Sequence, residues 1–154
     1  MDRTVKISII DGTPEMNGNV IHYFSDYTIQ YEPLYSEEAK ILLLIFGTLT
    51  IVFDKKSKRF LSLDAYTNKE IWKIDRNLSF PQDCPEGVLS IQEGFKDDHI
   101  ESFKFVPKFY YNDNVVMIDI NNHDSKFYKI GENVIVGLKD QQITSFIFKS
   151  VEFM

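Results

Sequence analysis

Apolar and polar residues alternate along most of the chain, in short runs separated by turns rich in Asn, Asp and Gly. Residues 48–53 are the clearest case, because Leu49, Ile51 and Phe53 would share one face of a strand and the residues between them the other. Thr, Val, Ile and Phe are also favoured in strands. The pattern therefore predicts a strand over 48–53.

The runs that follow predict further strands. The turn DKKSK leads into RFLSLDAY, which alternates again and predicts a hairpin of Leu49–Phe53 with Arg59–Tyr66. IWKI would add a third strand to a meander between residues 48 and 74. The run IESFKFVPKFYY predicts a half-buried strand that Pro107 makes an edge or bulged one. The predicted fold class is mainly β, an antiparallel meander forming a sandwich or a barrel-like roll.

The most apolar stretch of the chain covers residues 41–53. As a helix it would rise roughly 20 Å, too little to cross a hydrocarbon layer of about 30 Å. Its first half fits a strand covered on both faces, but Ser36 could instead cap a short helix, so residues 36–45 stay open between the two. Gly47 predicts a bulge or bend.

Composition fits one globular domain over residues 1–154, with a bulky core that draws on 13 Phe, 8 Tyr and 1 Trp. The single cysteine, Cys84, excludes an internal disulfide and an all-cysteine metal site. The N-terminal apolar run is short and is broken by Asp11 and Gly12, unlike a signal peptide. Cytoplasmic residence is therefore the default expectation.

Charge narrows the range of partners. The chain has 17 Lys and Arg against 23 Asp and Glu, a formal net charge of −6. Nucleic acid and anionic membranes need clustered cations, so neither is an expected partner. The cationic group KKSKR at 55–59 is explained as a turn that blunts a sheet edge. A basic protein partner remains compatible with this charge.

No catalytic signature stands out in the sequence. Nucleophile-elbow and phosphate-binding glycine motifs are absent, and Cys84 lies in a loop with nothing near it in sequence to lower its pKa. No cofactor and no catalytic residue are predicted. Two acidic clusters with a histidine are candidates for binding a divalent metal; the alternative is that both are turns, where Asp and Asn are favoured anyway. Their members are Asp97, Asp98, His99, His123 and Asp124.

Tyrosines recur at every fourth position between residues 23 and 35. On one extended strand this even spacing would bring all of them to the same face. Tyrosines mixed with polar residues are typical of protein-binding surfaces, and they also suit stacking on sugars. The alternative is that the rings simply cover the sheet while their hydroxyls reach water. The predicted binding surface consists of Tyr23, Tyr27, Tyr31, Tyr35, Asp26 and Glu32.

Three functions follow from these patterns. The leading one is a non-enzymatic protein-binding domain, because a small, acidic, Tyr-rich β domain is similar in size and charge to the immunity proteins with which bacteria neutralise their own toxins, many of them basic nucleases. The second is a β-barrel or sandwich that binds a small apolar molecule or a glycan, in a cavity lined by Phe103, Phe105, Phe109, Phe146 or Phe148. The third is a metal-dependent enzyme that uses the Asp and His clusters.

Overall fold

The computed structural model describes residues 5–14, 18–32, 40–93, 100–104 and 106–154. Short strands dominate these residues, together with a 3₁₀-helix over Lys69–Ile71. The strands are β1 (Lys6–Ile10), β2 (Asn19–Tyr23), β3 (Thr28–Glu32), β4 (Ile41–Phe46), β5 (Leu49–Asp54), β6 (Phe60–Tyr66), β7 (Lys73–Ile74), β8 (Val88–Glu93), β9 (Ile100–Phe103), β10 (Lys108–Asn112), β11 (Val115–Asp119), β12 (Lys126–Gly131), β13 (Val134–Lys139), β14 (Gln142–Phe148) and β15 (Glu152–Phe153).

Two large sheets and one small sheet hold these strands. The seven-stranded sheet has the order β15-β2-β3-β6-β5-β4-β9, and the six-stranded sheet has the order β12-β13-β14-β11-β10-β7. Strands β1 and β8 form an antiparallel pair of their own. Most pairings are antiparallel, and the described strands close neither large sheet into a barrel. The mainly-β prediction is confirmed, and the arrangement is consistent with a β-sandwich.

The core lies between the two large sheets. Leu49, Ile51 and Phe53 of β5 are all fully buried, as the alternation predicted. Phe146 of β14 belongs to the same cluster, and its ring lies 6.4 Å from that of Phe60 on the other sheet. Burying each such side chain stabilises the fold by about 1.5–3 kcal/mol before the entropy cost is counted. Aromatic contacts therefore connect the two layers.

The apolar run forms a hairpin, β4 followed by β5. The prediction of a strand over 48–53 is confirmed from Leu49 onward, with Thr48 in the turn. Residues 41–46 are a strand rather than a helix, while 36–39 lie outside the described residues. Burial along β4 alternates, so one of its faces is only partly covered. Gly47 takes the first position of a two-residue turn at φ +60, which glycine adopts without strain. In the described part of the chain, no helix is long and apolar enough to cross a membrane.

Two strand predictions were wrong, and both runs reach the six-stranded sheet. The run IWKI does not add a third strand beside β6, because Lys69–Ile71 form the 3₁₀-helix and β7 pairs in parallel with β10. The run around Pro107 is not one strand, because β9 pairs with β4 in the seven-stranded sheet and β10 with β11 in the other. Proline lacks the N–H of a ladder bond, which favours a break at that point.

Candidate functional site

The predicted tyrosine surface is divided by a hairpin. Tyr23 ends β2, Tyr27 lies in the turn at φ 54, and Tyr31 belongs to β3. Because Tyr31 pairs with Val20, its side chain faces the core, where it is 1% exposed and stacks on Phe60 at 5.9 Å. The prediction that the tyrosines share one face is wrong for Tyr31, since the turn reverses the chain between them.

The other members of the predicted surface have separate outcomes. Tyr23 is half-buried and Asp26 is exposed beside Tyr27, so their role in binding stays a prediction. Tyr35 lies outside the described residues, and Glu32 is described only as the last residue of β3.

Exposed apolar side chains lie in the β2–β3 turn, at Tyr66 of the neighbouring strand β6 and at the end of the 3₁₀-helix, and we call this set the aromatic end. It consists of Phe24, Tyr27, Tyr66 and Ile71, which are 48%, 44%, 60% and 74% exposed. The rings of Tyr27 and Tyr66 lie 6.2 Å apart, and the Thr67 N–H donates to the Tyr27 carbonyl oxygen at 2.6 Å. Exposed apolar patches of this kind mark interaction surfaces more often than single exposed side chains do.

An aromatic cluster centred on the buried His22 packs against Phe24, one member of the aromatic end. The His22 ring contacts Phe24 and Trp72 edge-on, each at 5.0 Å between centroids, and Phe153 at 5.8 Å. The Lys69 ammonium lies 4.6 Å from the centre of the Phe153 ring, a cation–π contact. These contacts fix the base of Phe24, so its exposed part is held in place.

His22 is fully buried. Its Nε2 lies 3.3 Å from the Thr67 carbonyl oxygen. A carbonyl can only accept, so Nε2 carries the proton, and Nδ1 has no partner among the described residues. Burial lowers the pKa of His22; the bond to Thr67 opposes this shift and the Lys69 charge adds to it.

A second feature is an open groove of about 630 Å³ between β1 and the edge of the six-stranded sheet. Its polar rim contains four carboxylates and two ammonium groups, and its apolar floor includes Ile7, Ile9 and Leu138. The volume lies within the range of small-ligand and peptide sites. The groove is lined by Ile7, Ser8, Ile9, Asp11, Pro85, Glu86, Asp124, Lys126, Tyr128, Leu138, Lys139, Asp140 and Gln141.

Tight turns position the rim of the groove. Asp140 and Gln141 form the two-residue turn between β13 and β14, with φ of 51 and 62, the pattern of a type I′ hairpin. Asp124 precedes β12, and its Oδ2 lies 3.8 Å from Lys139 Nζ and 3.2 Å from His123 Nε2. The pair with Lys139 offsets one charge of each sign at the rim.

The metal candidates are only partly described. His123 and Asp124 are neighbours in the exposed turn before β12, where the Asn122 N–H donates to Asp119 Oδ1 at 2.7 Å. Asp97, Asp98 and His99 lie outside the described residues. Across the described ranges, His, Cys, Asp and Glu form no group of three that could hold a metal ion. The bond from the Asn122 N–H to Asp119 is of the side-chain-to-backbone kind that Asp and Asn commonly make in turns.

Neither Cys84 nor the core phenylalanines form a described reactive or ligand-binding site. Burial, together with the negative charge of Asp83, raises the pKa of the Cys84 thiol, which disfavours the thiolate. Phe146 and Phe148 are fully buried and stack on each other at 6.3 Å. Phe109 is buried in the same cluster, whereas Phe105 lies outside the described residues. The groove contains no phenylalanine in its lining.

Comparison with known proteins finds no match to a family model and no similar curated protein. Sequence analysis missed both the groove and most of the aromatic end. The exposure of Phe24 and Tyr66 could have been predicted locally, because each lies where a strand meets a turn. The groove had none, because its walls come from segments far apart in the sequence.

Proposed function

We propose that this protein is a non-enzymatic protein-binding domain of the immunity type, which neutralises a basic partner protein through the aromatic end. The observation that carries the proposal is the exposure of Tyr27 and Tyr66 in contact with each other, together with that of Phe24, which lies in the same turn as Tyr27 and packs on His22. Aromatic side chains on a rigid support lose little conformational entropy on binding, and they supply much of the energy at protein interfaces.

Charge supports a basic partner. The chain carries a formal net charge of −6, and the carboxylates of Asp26 and Glu70 lie in exposed positions next to Tyr27 and Ile71 in sequence. Acidic surfaces attract basic proteins during diffusion and speed their association, most strongly at low salt. A basic toxin made in the same cell is the partner that fits this surface.

The test starts from purification of the full chain from its host and identification of any stoichiometric partner. The partner is then purified, and its dissociation constant and any enzymatic activity are measured with the wild-type chain and with Tyr27→Ala, Tyr66→Ala and Ile71→Ala. We expect each of the tyrosine variants to weaken binding about tenfold or more and to relieve inhibition of the partner.

The matched control is Val106→Ala, because Val106 is 83% exposed and belongs to a different segment. It should leave the dissociation constant within about twofold, since a single exposed apolar side chain away from an interface contributes little. Absence of a stoichiometric partner, or an equal loss in the control and the tyrosine variants, would overturn the proposal.

A further inference from the structure

The strand β1 pairs with β8 along one edge, while its other edge is bonded at Ile7 and left open further along the strand. In the partner strand β8, the Ile91 N–H points away from β1 and donates to the Lys58 carbonyl oxygen at 2.9 Å. In β1, the Ile7 N–H points away from β8 and donates to the Gln141 carbonyl oxygen at 2.8 Å. Ile7 and Ile91 face each other in the register, so they form a pair without mutual hydrogen bonds.

The same parity applies two residues further along β1. Ile9 faces Leu89 in the unshifted part of the register, so its N–H and C=O also point away from β8. They have no backbone partner among the described residues. Ile9 lines the groove, and the open edge of β1 therefore presents a free donor and a free acceptor to it.

The charged side chains at the rim of the groove favour a peptide of one charge. Among the described residues that line the groove, the four carboxylates of Asp11, Glu86, Asp124 and Asp140 outnumber the two ammonium groups of Lys126 and Lys139, and Lys139 is already close to Asp124. The remaining balance is negative. Ile7, Ile9 and Leu138 supply an apolar floor, which alternate side chains of an extended peptide could cover while the others reach the rim.

We propose that the groove binds an extended segment of a basic protein, which adds as a strand to the open edge of β1 at Ile9 and places its cationic side chains against the carboxylate rim. Main-chain hydrogen bonds supply affinity in this mode of binding, and the alternate side chains supply specificity. This site is separate from the aromatic end, and the inference does not depend on the function proposed for that surface.

The probe is a short capped peptide that alternates lysine and valine, titrated onto the full chain by calorimetry. Two matched peptides separate the contributions: one alternates glutamate and valine, and one keeps the lysines but carries N-methyl groups on alternate backbone nitrogens. We expect binding of the first peptide that weakens with salt, no binding of the acidic peptide, and a loss of about tenfold or more on N-methylation.

The protein variants locate the site. Asp11→Asn with Glu86→Gln should weaken binding of the lysine peptide about tenfold, since the two exposed carboxylates each contribute a modest attraction to its cations. Asp113→Asn with Glu132→Gln removes the same charge from exposed positions outside the groove and should have little effect. Ile9→Pro removes the groove-facing N–H without a ladder bond and should also weaken binding.

Several outcomes would overturn the inference. If the N-methylated peptide binds as tightly as the parent, attraction is electrostatic only and no strand is added. If the control pair loses as much affinity as the groove pair, the effect comes from net charge. If the lysine peptide does not bind at low salt, the groove is not a site for basic segments, and the test of the aromatic end is unaffected.

Discussion

Trp72 and Thr67 are joined inside the protein by a hydrogen bond of 2.7 Å, in which the indole Nε1–H donates to Oγ1. The backbone of the same threonine is also used, because its N–H donates to the Tyr27 carbonyl oxygen and its carbonyl accepts from His22. Thr67 therefore connects the buried aromatic cluster to the turn that carries Tyr27.

Replacement of Thr67 by valine tests this connection. The shape is kept but the indole N–H is left buried without a partner, so we expect the free energy of unfolding to fall by about 1–3 kcal/mol. Urea unfolding followed by tryptophan fluorescence measures it directly, because Trp72 is the one tryptophan in the chain. In a Trp72→Phe background, followed by circular dichroism, Thr67→Val should cost much less; an equal cost in both backgrounds would contradict this account.

The buried imidazole predicts a dependence of stability on pH. Because folding lowers the pKa of His22, the unfolded chain binds the proton more readily, and stability falls as pH drops below the ordinary value of about 6.5. The loss should be complete below the lowered folded pKa. Free energies of unfolding near pH 7.5 and about pH 5.5 measure the slope.

Two variants isolate the histidine in that measurement. His22→Phe should flatten the slope even if it changes the absolute stability, because the titrating group is gone. His123→Gln is the matched control, since His123 is exposed and folding does not bury it. A slope that survives unchanged in His22→Phe would assign the pH dependence to other groups.

Tyr31 and Tyr27 should respond differently to truncation. Tyr31→Ala removes a ring that is buried against Phe60, and we expect a loss of about 3–5 kcal/mol in the free energy of unfolding. Tyr27→Ala removes an exposed ring and should change stability by less than about 1 kcal/mol. Chemical denaturation of both variants checks the difference, and similar losses would contradict the placement of Tyr31 in the core.

The turn between β4 and β5 gives a further prediction. Gly47→Ala places a Cβ at a residue with φ +60, so stability should fall by about 1–2 kcal/mol. Gly47→Asn should lose less, since asparagine tolerates this conformation. Thermal unfolding of the two variants gives the comparison, and an alanine variant as stable as the wild type would show that the turn relaxes.

Local sequence pattern predicted those elements whose two faces differ strongly. The alternation through Leu49, Ile51 and Phe53 predicted β5 and the burial of these three side chains correctly, because one face of a strand recurs with a period of two; Val52 on the other face is buried as well. The regular spacing of tyrosines misled, because a turn between Tyr23 and Tyr31 changes which face each one takes. Spacing carries information about faces only within one element.

The position of the candidate sites could not be predicted in the same way. The groove brings Ile9, Glu86, Asp124 and Asp140 together through the pairing of distant strands, and no local pattern encodes that pairing. The division of the run around Pro107 into two strands also depends on distant residues, since β9 pairs with β4 in one sheet and β10 pairs with β11 in the other. Local sequence pattern therefore predicts individual strands, whereas the candidate sites depend on how distant strands pair.

The parallel pairing of β15 with β2 has a consequence for synthesis of the chain. Residues 152–153 cover Ile21 and His22, and the Met154 N–H donates to the His22 carbonyl oxygen. During synthesis, β2 leaves the ribosomal exit tunnel long before these residues do. The edge of β2 that pairs with β15 therefore stays unpaired until the end of the chain is made. Contacts between such distant segments slow folding, and an unprotected edge invites pairing with other chains in the meantime.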